Sequence, residues 1–147
     1  MAYKLNVKGV YARATRSASV GGIIKRNGRW VSGLGGCIGL ADPITAELWV
    51  IYYGLKMAWE RNKTNLVVFS ECREAISIIR NDDLEYPIAM LVDMIRMLLG
   101  DTWTSMDIQS THVDANGGAN SMAGYYLDHE GGIPEMDEPP EVISHLI

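Results

Sequence analysis

The chain has only two cysteines, Cys37 and Cys72, and no apolar run approaching the roughly 20 residues that a membrane-spanning helix needs. Two thiols are too few for a disulfide framework, which excludes the small secreted scaffolds that depend on one. A charged start followed by an apolar stretch and a small-residue cleavage site is also missing, and the sequence is read as that of an intracellular protein with no membrane role. Acidic residues are absent from positions 1–41, and Lys and Arg are absent from positions 101–147. The first of these segments therefore carries +7, the last −9, and residues 42–100 carry −3, for a net charge of −5. A dedicated nucleic-acid binder usually has a basic excess overall, so the basic front reads first as a solvated hairpin. Within it, Arg13, Arg16, Lys25, Arg26 and Arg29 are the candidates for contact with phosphates.

At 147 residues, 48% of them apolar, the chain is the size of one globular domain with a proper core, and a second domain has no room. KLNVKGVYA and SASVGGIIKR read as strands, and Asn27-Gly28 signals a hairpin into RWVSGLGGCIG. Asp42-Pro43 supplies an N-cap and a first-position proline for a helix running to about Arg61 or Asn62. The apolar strand NLVVFS follows, with Ser70 as a cap for a helix through CREAISIIR. A polar break is expected from Asn81 to Pro87. IAMLVDMIRMLL then has helical spacing, TWTSMDIQSTHV alternates as a fifth strand, and Asn116 opens a last, weak helix. Three hairpin-connected strands followed by helix, strand, helices, strand and helix predict an α/β mixed sheet with helices packed on it.

Glu47 stands out on this layout. Ile51, Gly54, Leu55 and Ala58 share its helical face, the side expected to lie on the sheet. A carboxylate there needs a cation, a metal or hydrogen-bond donors, unless its place near the helix start keeps it wet. Other chemistry is thinner. His112, His129 and His145 show no zinc spacing with the cysteines, and His112 near Asp114 is the most suggestive pair. Cys72 reads as a buried thiol, and Gly33, Gly36 and Gly39 as bends in a strand.

Taken in order, Lys8 in the first strand, Glu47 in AELWVIYYGLKMAW, Glu71 after VVFS and Asn120 in HVDANGGANSMA resemble the RNase H-like domains of plants, the reverse transcriptase-like family related to retrotransposon RNase H. Gly21-Gly22 with Ile23 and Ile24, and the EPPEVIS ending, add to the resemblance. It implies an RNase H-like fold with a five-stranded mixed sheet, three strands antiparallel and then two parallel, over residues 1–128, and an acidic, proline-containing tail over 129–147. Active members hydrolyse the RNA strand of an RNA/DNA hybrid with two Mg²⁺ ions held by Asp, Glu, Asp and Asp at these four places. Here only Glu47 matches, and the formal charge of the four side chains is −1 in place of −4.

Lys8 puts a cation where a metal-binding carboxylate belongs, so the resemblance implies a degenerate site with no bound Mg²⁺. The Lys8 ammonium is expected between the Glu47 and Glu71 carboxylates. Where the family shows an Arg-Glu-Ala-Asn run followed by Arg, Val113-Asp114-Ala115-Asn116 and then Gly117-Gly118 remove both cations and put substrate contact there in doubt. The expected function is a noncatalytic interaction module. Its partner is a protein or a second copy, through Trp49, Tyr53, Trp59 or the cluster Val142, Ile143, Leu146 and Ile147, or else RNA/DNA hybrid or duplex nucleic acid. The alternative is a residual RNA/DNA-hybrid ribonuclease.

Overall fold

A computed structural model describes residues 1–81 and 88–147. Three long strands come first: β1 Tyr3–Ala12, β2 Ser17–Arg26 and β3 Arg29–Leu40. They are followed by α1 Pro43–Glu60, β4 Asn65–Ser70, α2 Arg73–Arg80, α3 Ile88–Leu99, β5 Ser105–Ser110, α4 Gly117–Tyr126 and a two-residue β6, Glu135–Met136. Short 3-10 turns cover Val113–Ala115 and Glu141–Leu146. The polar break expected from Asn81 to Pro87 lies, beyond Asn81, outside the described residues.

Local chemistry explains the boundaries. Asn27 and Gly28 adopt φ of 53° and 74°, the left-handed conformation that a tight turn between β2 and β3 demands. The Asp42 side chain accepts from the Thr45 N–H at 2.7 Å, and Pro43 follows in the first helical turn, so α1 starts where its cap directs.

The strands form one sheet in the order β5-β4-β1-β2-β3-β6. β1, β2 and β3 are antiparallel neighbours, and β4 and β5 run parallel to β1. The sheet thus has six strands where the sequence predicts five. The sixth pairs Glu135 with Leu34 and Met136 with Gly33 along the free edge of β3. Two residues cannot show an alternating pattern; side chains hold this strand in place. Arg61 donates to Glu135 at 3.2 Å and Asp137 at 2.7 Å, and the Trp30 indole N–H donates to the Asp137 carbonyl at 2.8 Å.

The sheet has helices on both faces. Leu5 and Val7 are fully buried on the α1 side, in the larger core, where Leu5 packs against Gly54. Asn6 and Lys8 alternate to the other side, toward α4. A smaller core there joins Ile23, Met122 and Ile143. Residues 129–147 contribute to it: Ile143 is buried, and the Lys25 ammonium donates to the Ile147 carbonyl at 2.7 Å, while Val142 and Leu146 are exposed. Trp59 packs on Trp103, and Trp49 stacks on Tyr53. No helix among the described residues is long and apolar enough to cross a membrane.

Glycine sets how closely the helices approach. A Cβ on Gly21 would lie 2.5 Å from the Ala123 nitrogen and 2.6 Å from the Ala119 carbonyl oxygen, both backbone atoms of α4. Gly21→Ala is expected to push α4 off β2 and cost about 2 kcal/mol or more in urea unfolding. Gly124→Ala, on the open side of the same helix, meets nothing within 4 Å. It should instead stabilise by about 0.5–1 kcal/mol through helix propensity.

Candidate functional site

Parallel pairing of β1 with β4 brings Val7 opposite Ser70, so Glu71 emerges from the strand end beside Lys8. The Lys8 Nζ lies 3.6 Å from Glu71 Oε1. The other carboxylate oxygen, Oε2, accepts from the side-chain amides of Asn116 and Asn120, each at 2.7 Å. Partial burial alone would raise the Glu71 pKa, but the two amides and the Lys8 charge outweigh it and hold the carboxyl below its ordinary value.

Asn116 is the hub of this arrangement. It is 1% exposed, and its amide also donates to the Val7 carbonyl at 3.0 Å while its own oxygen accepts from Asn6 at 2.9 Å. Its backbone carbonyl accepts from both the Asn120 N–H and the Asn120 side chain, which starts α4. The sequence marks Asn116 only as a helix start. Its pairing with Asn6 spans 110 positions, and no local signal reveals it.

Glu47 is placed differently. It reaches the sheet from α1 and is 5% exposed, with the Gly9 N–H donating to Oε1 at 2.5 Å and the Ser70 hydroxyl to Oε2 at 3.4 Å. Close approach is possible because Gly9 has no side chain: a Cβ there would sit 2.9 Å from the Glu47 nitrogen. Burial drives the Glu47 pKa up to about 7, with the Gly9 N–H and the Lys8 charge pulling it down and Glu71 pushing it further up.

The expectation that Lys8 sits between two carboxylates is therefore corrected. Lys8 pairs with Glu71, whereas no ion pair joins it to Glu47 among the described residues. Lys8 projects on the α4 side of β1, and Glu47 arrives from the α1 side. Ser70 is also reassigned. Cys72 caps α2, its sulfur accepting from the Ala75 N–H at 3.4 Å, while the Ser70 hydroxyl accepts from the Cys72 N–H at 3.0 Å. The Cys72 thiol, half-buried, is pushed above its ordinary pKa by burial.

These donors do not fit Mg²⁺, which takes oxygen ligands in octahedral geometry. Lys8 brings an ammonium within 3.6 Å of one Glu71 oxygen, and Asn116 and Asn120 turn N–H groups toward the other. Among the described residues no cluster of three or more His, Cys, Asp or Glu side chains is arranged to hold a metal ion.

The five candidate cations do not form one patch. Arg13 and Arg16 lie in the turn at the Ala12 end of β1; Lys25, Arg26 and Arg29 lie at its Tyr3 end. Antiparallel strands of this length separate the two groups by roughly 30 Å. Arg26 is engaged with Tyr3, 3.0 Å from its hydroxyl and 4.8 Å above its ring. His112 and Asp114 are both exposed, and the His112 Nδ1 accepts from the Asp114 N–H at 3.2 Å, a local turn contact.

Sheet order and flanking helices define an RNase H-like domain. Its fold superposes on ribonuclease H1 of the archaeon Halobacterium salinarum with a TM-score of 0.78, at 17% identity, covering 88% of this chain and all of that one. A ribonuclease H1 from compost, solved with an RNA/DNA hybrid, gives a TM-score of 0.75 at 13% identity, covering 86% of this chain and 96% of that chain. The chain belongs to the reverse transcriptase-like family, which residues 6–125 match. It is 27% identical over 148 aligned positions to an Arabidopsis thaliana protein provisionally named a ribonuclease H protein, covering 98% of this chain but 23% of that longer protein.

The buried Glu47 makes a signed prediction. With a folded pKa near 7 and an ordinary value of 4.5, the folded state holds a proton that the unfolded state has released between these limits. Its contribution to stability is complete below the lower value and declines as pH rises through the upper one, by about 3 kcal/mol in all. Glu47→Gln should therefore gain about 3 kcal/mol on the natural chain between acidic and mildly alkaline pH in urea titrations. Parallel stability curves would mean that Glu47 titrates as an ordinary carboxylate.

Proposed function

We propose that this domain is a noncatalytic RNase H-like module, in which the two-metal centre has been replaced by an internal ion pair and its amide network. The observation that carries this reading is the Lys8–Glu71 contact at 3.6 Å, with Asn116 and Asn120 on the same carboxylate. Phosphodiester hydrolysis by two metals requires negative oxygen ligands that hold the ions and balance their charge. Here Lys8 cancels Glu71, which leaves Glu47 as the remaining carboxylate of the four places. An ammonium in contact with Glu71 also repels any dication entering beside it.

The fold supports nucleic acid as a partner class, since one structural neighbour was solved on an RNA/DNA hybrid. Contact would fall on Arg13 and Arg16 at one end of the sheet or on Lys25, Arg26 and Arg29 at the other, and it would be weak and salt-dependent at a net charge of −5. A protein partner is the alternative for a module that does not cut. The residual-ribonuclease reading keeps one support: Glu71 still lies close enough to Glu47 to raise its proton affinity.

The natural chain is expected to leave an end-labelled RNA/DNA hybrid intact in Mg²⁺ and in Mn²⁺. Lys8→Asp combined with Glu71→Asp and Asn120→Asp should restore metal binding, and with it cleavage at least tenfold above background. Hybrid binding measured in the same samples should weaken steeply with salt. Metal-dependent cutting by the natural chain that disappears in Glu47→Ala would refute the noncatalytic reading.

A further inference from the structure

The face of the molecule opposite α4 carries an apolar groove that the site does not use. Along α1, Thr45, Trp49, Tyr52 and Lys56 recur at spacings of three and four and so share one helical stripe, with the N-cap residue Asp42 at its head. Along α3, Met90, Met94 and Met97 do the same, at 62%, 36% and 76% exposure. Between the two stripes lie two adjoining hollows. One, of about 280 Å³, is lined by Thr45, Trp49, Ile88, Met90, Leu91 and Met94. The next, of about 330 Å³, is lined by Tyr52, Met94, Met97, Leu98 and Asp101, and Met94 is common to both. Among the described residues, no charged side chain lines either hollow except Asp101, at the far end.

Three unbranched, flexible thioethers beside a tryptophan and a tyrosine make a surface that can repack around apolar side chains from outside. The charges at its ends say which molecule supplies them. Asp42 and Lys56 are exposed and stand seven residues before and seven after Trp49. Each is therefore about 10 Å from Trp49 along the helix. Met90 stands four residues before Met94 and Met97 three after it, and Trp49 and Met94 line the same hollow. A stripe whose opposite charges are equidistant from its apolar centre is complementary to itself when turned end for end: Lys56 of each copy meets Asp42 of the other. The same turn sets the two α1 helices antiparallel, which opposes their dipoles favourably. A parallel arrangement would place like charge on like charge.

We propose that this α1–α3 face is a two-fold interface with a second copy of the chain, centred on Trp49 and Met94 and closed at each end by a Lys56–Asp42 pair. Such an interface is isologous, each groove receiving the partner's methionines. It is independent of the state of the Lys8–Glu71 site.

Sedimentation equilibrium on the full chain tests this directly. The expected result is a mass that rises with concentration from 16.3 kDa toward twice that value. Met94→Glu should weaken association at least tenfold with unchanged circular dichroism, because Met94 is partly exposed and a glutamate there can reach water. Lys56→Asp should also weaken association, through repulsion of the partner's Asp42. Under mild oxidation Met94→Cys, next to the two-fold axis, should give a disulfide-linked dimer above the level of the natural chain. Leu40→Cys, at 79% exposure on the end of β3, should not. A monomer at every concentration overturns the proposal, as does a dimer that Met94→Glu leaves intact, or crosslinking no greater at Met94→Cys than at Leu40→Cys.

Discussion

One carboxylate ties three elements of this domain together. Glu71, just past the end of β4, takes an ammonium from β1 and two amide N–H groups from the start of α4. The amide of Asn116 bonds onward to the Val7 carbonyl, so the helix start is joined to strand backbone as well as to a side chain. Carboxylates buried without donors are expensive, and each donor here offsets part of that desolvation. With three, Glu71 remains charged and its pKa falls. Glu47, a short distance away, has one backbone N–H and one long hydroxyl contact, and burial wins. Two neighbouring carboxyl groups are thus driven in opposite directions by the number of donors aimed at each.

That network depends on how near the helices come to the sheet. Gly9 admits the α1 backbone, Gly21 admits α4, and Gly54 makes room for Leu5. In each case a Cβ would stand within 3 Å of a neighbouring atom, closer than packing allows. The approach of α1 is what delivers Glu47 to the Gly9 N–H. Close seating of α4 is likewise what lets two asparagines reach across to Glu71. Packing geometry and site chemistry are one constraint in this domain.

Much of the scaffold was legible from local chemistry. Asn27-Gly28 marked a turn that needs positive φ, Asp42-Pro43 marked the start of α1, and alternation in β1 separated Leu5 and Val7 from Asn6 and Lys8. The sixth strand was not, because two residues carry no period and its position comes from Arg61 and Trp30, distant in sequence. Ser70 and Cys72 illustrate a subtler limit. Either could cap α2 by composition, and the burial of Glu47 beside Ser70 accompanies a division of labour in which the sulfur caps and the hydroxyl serves the carboxylate. The basic front likewise reads as one run along the chain, yet antiparallel strands send its two halves to opposite ends of the sheet.

By itself the sequence determined the order of the first five strands and the four helices, and its resemblance pointed to the family. The elements follow from residue type and short-range spacing, which a linear chain states directly. Only the tertiary structure decided that Lys8 neutralises Glu71 and not Glu47, that Asn116 organises the site, and that a methionine stripe and an aromatic stripe face one groove. The physical reason is direction. Which face of a strand a side chain leaves from, and which helix lies above it, depends on contacts between residues as much as 110 positions apart, and hydrogen bonds and ion pairs form only where those contacts bring donor and acceptor within about 3–4 Å.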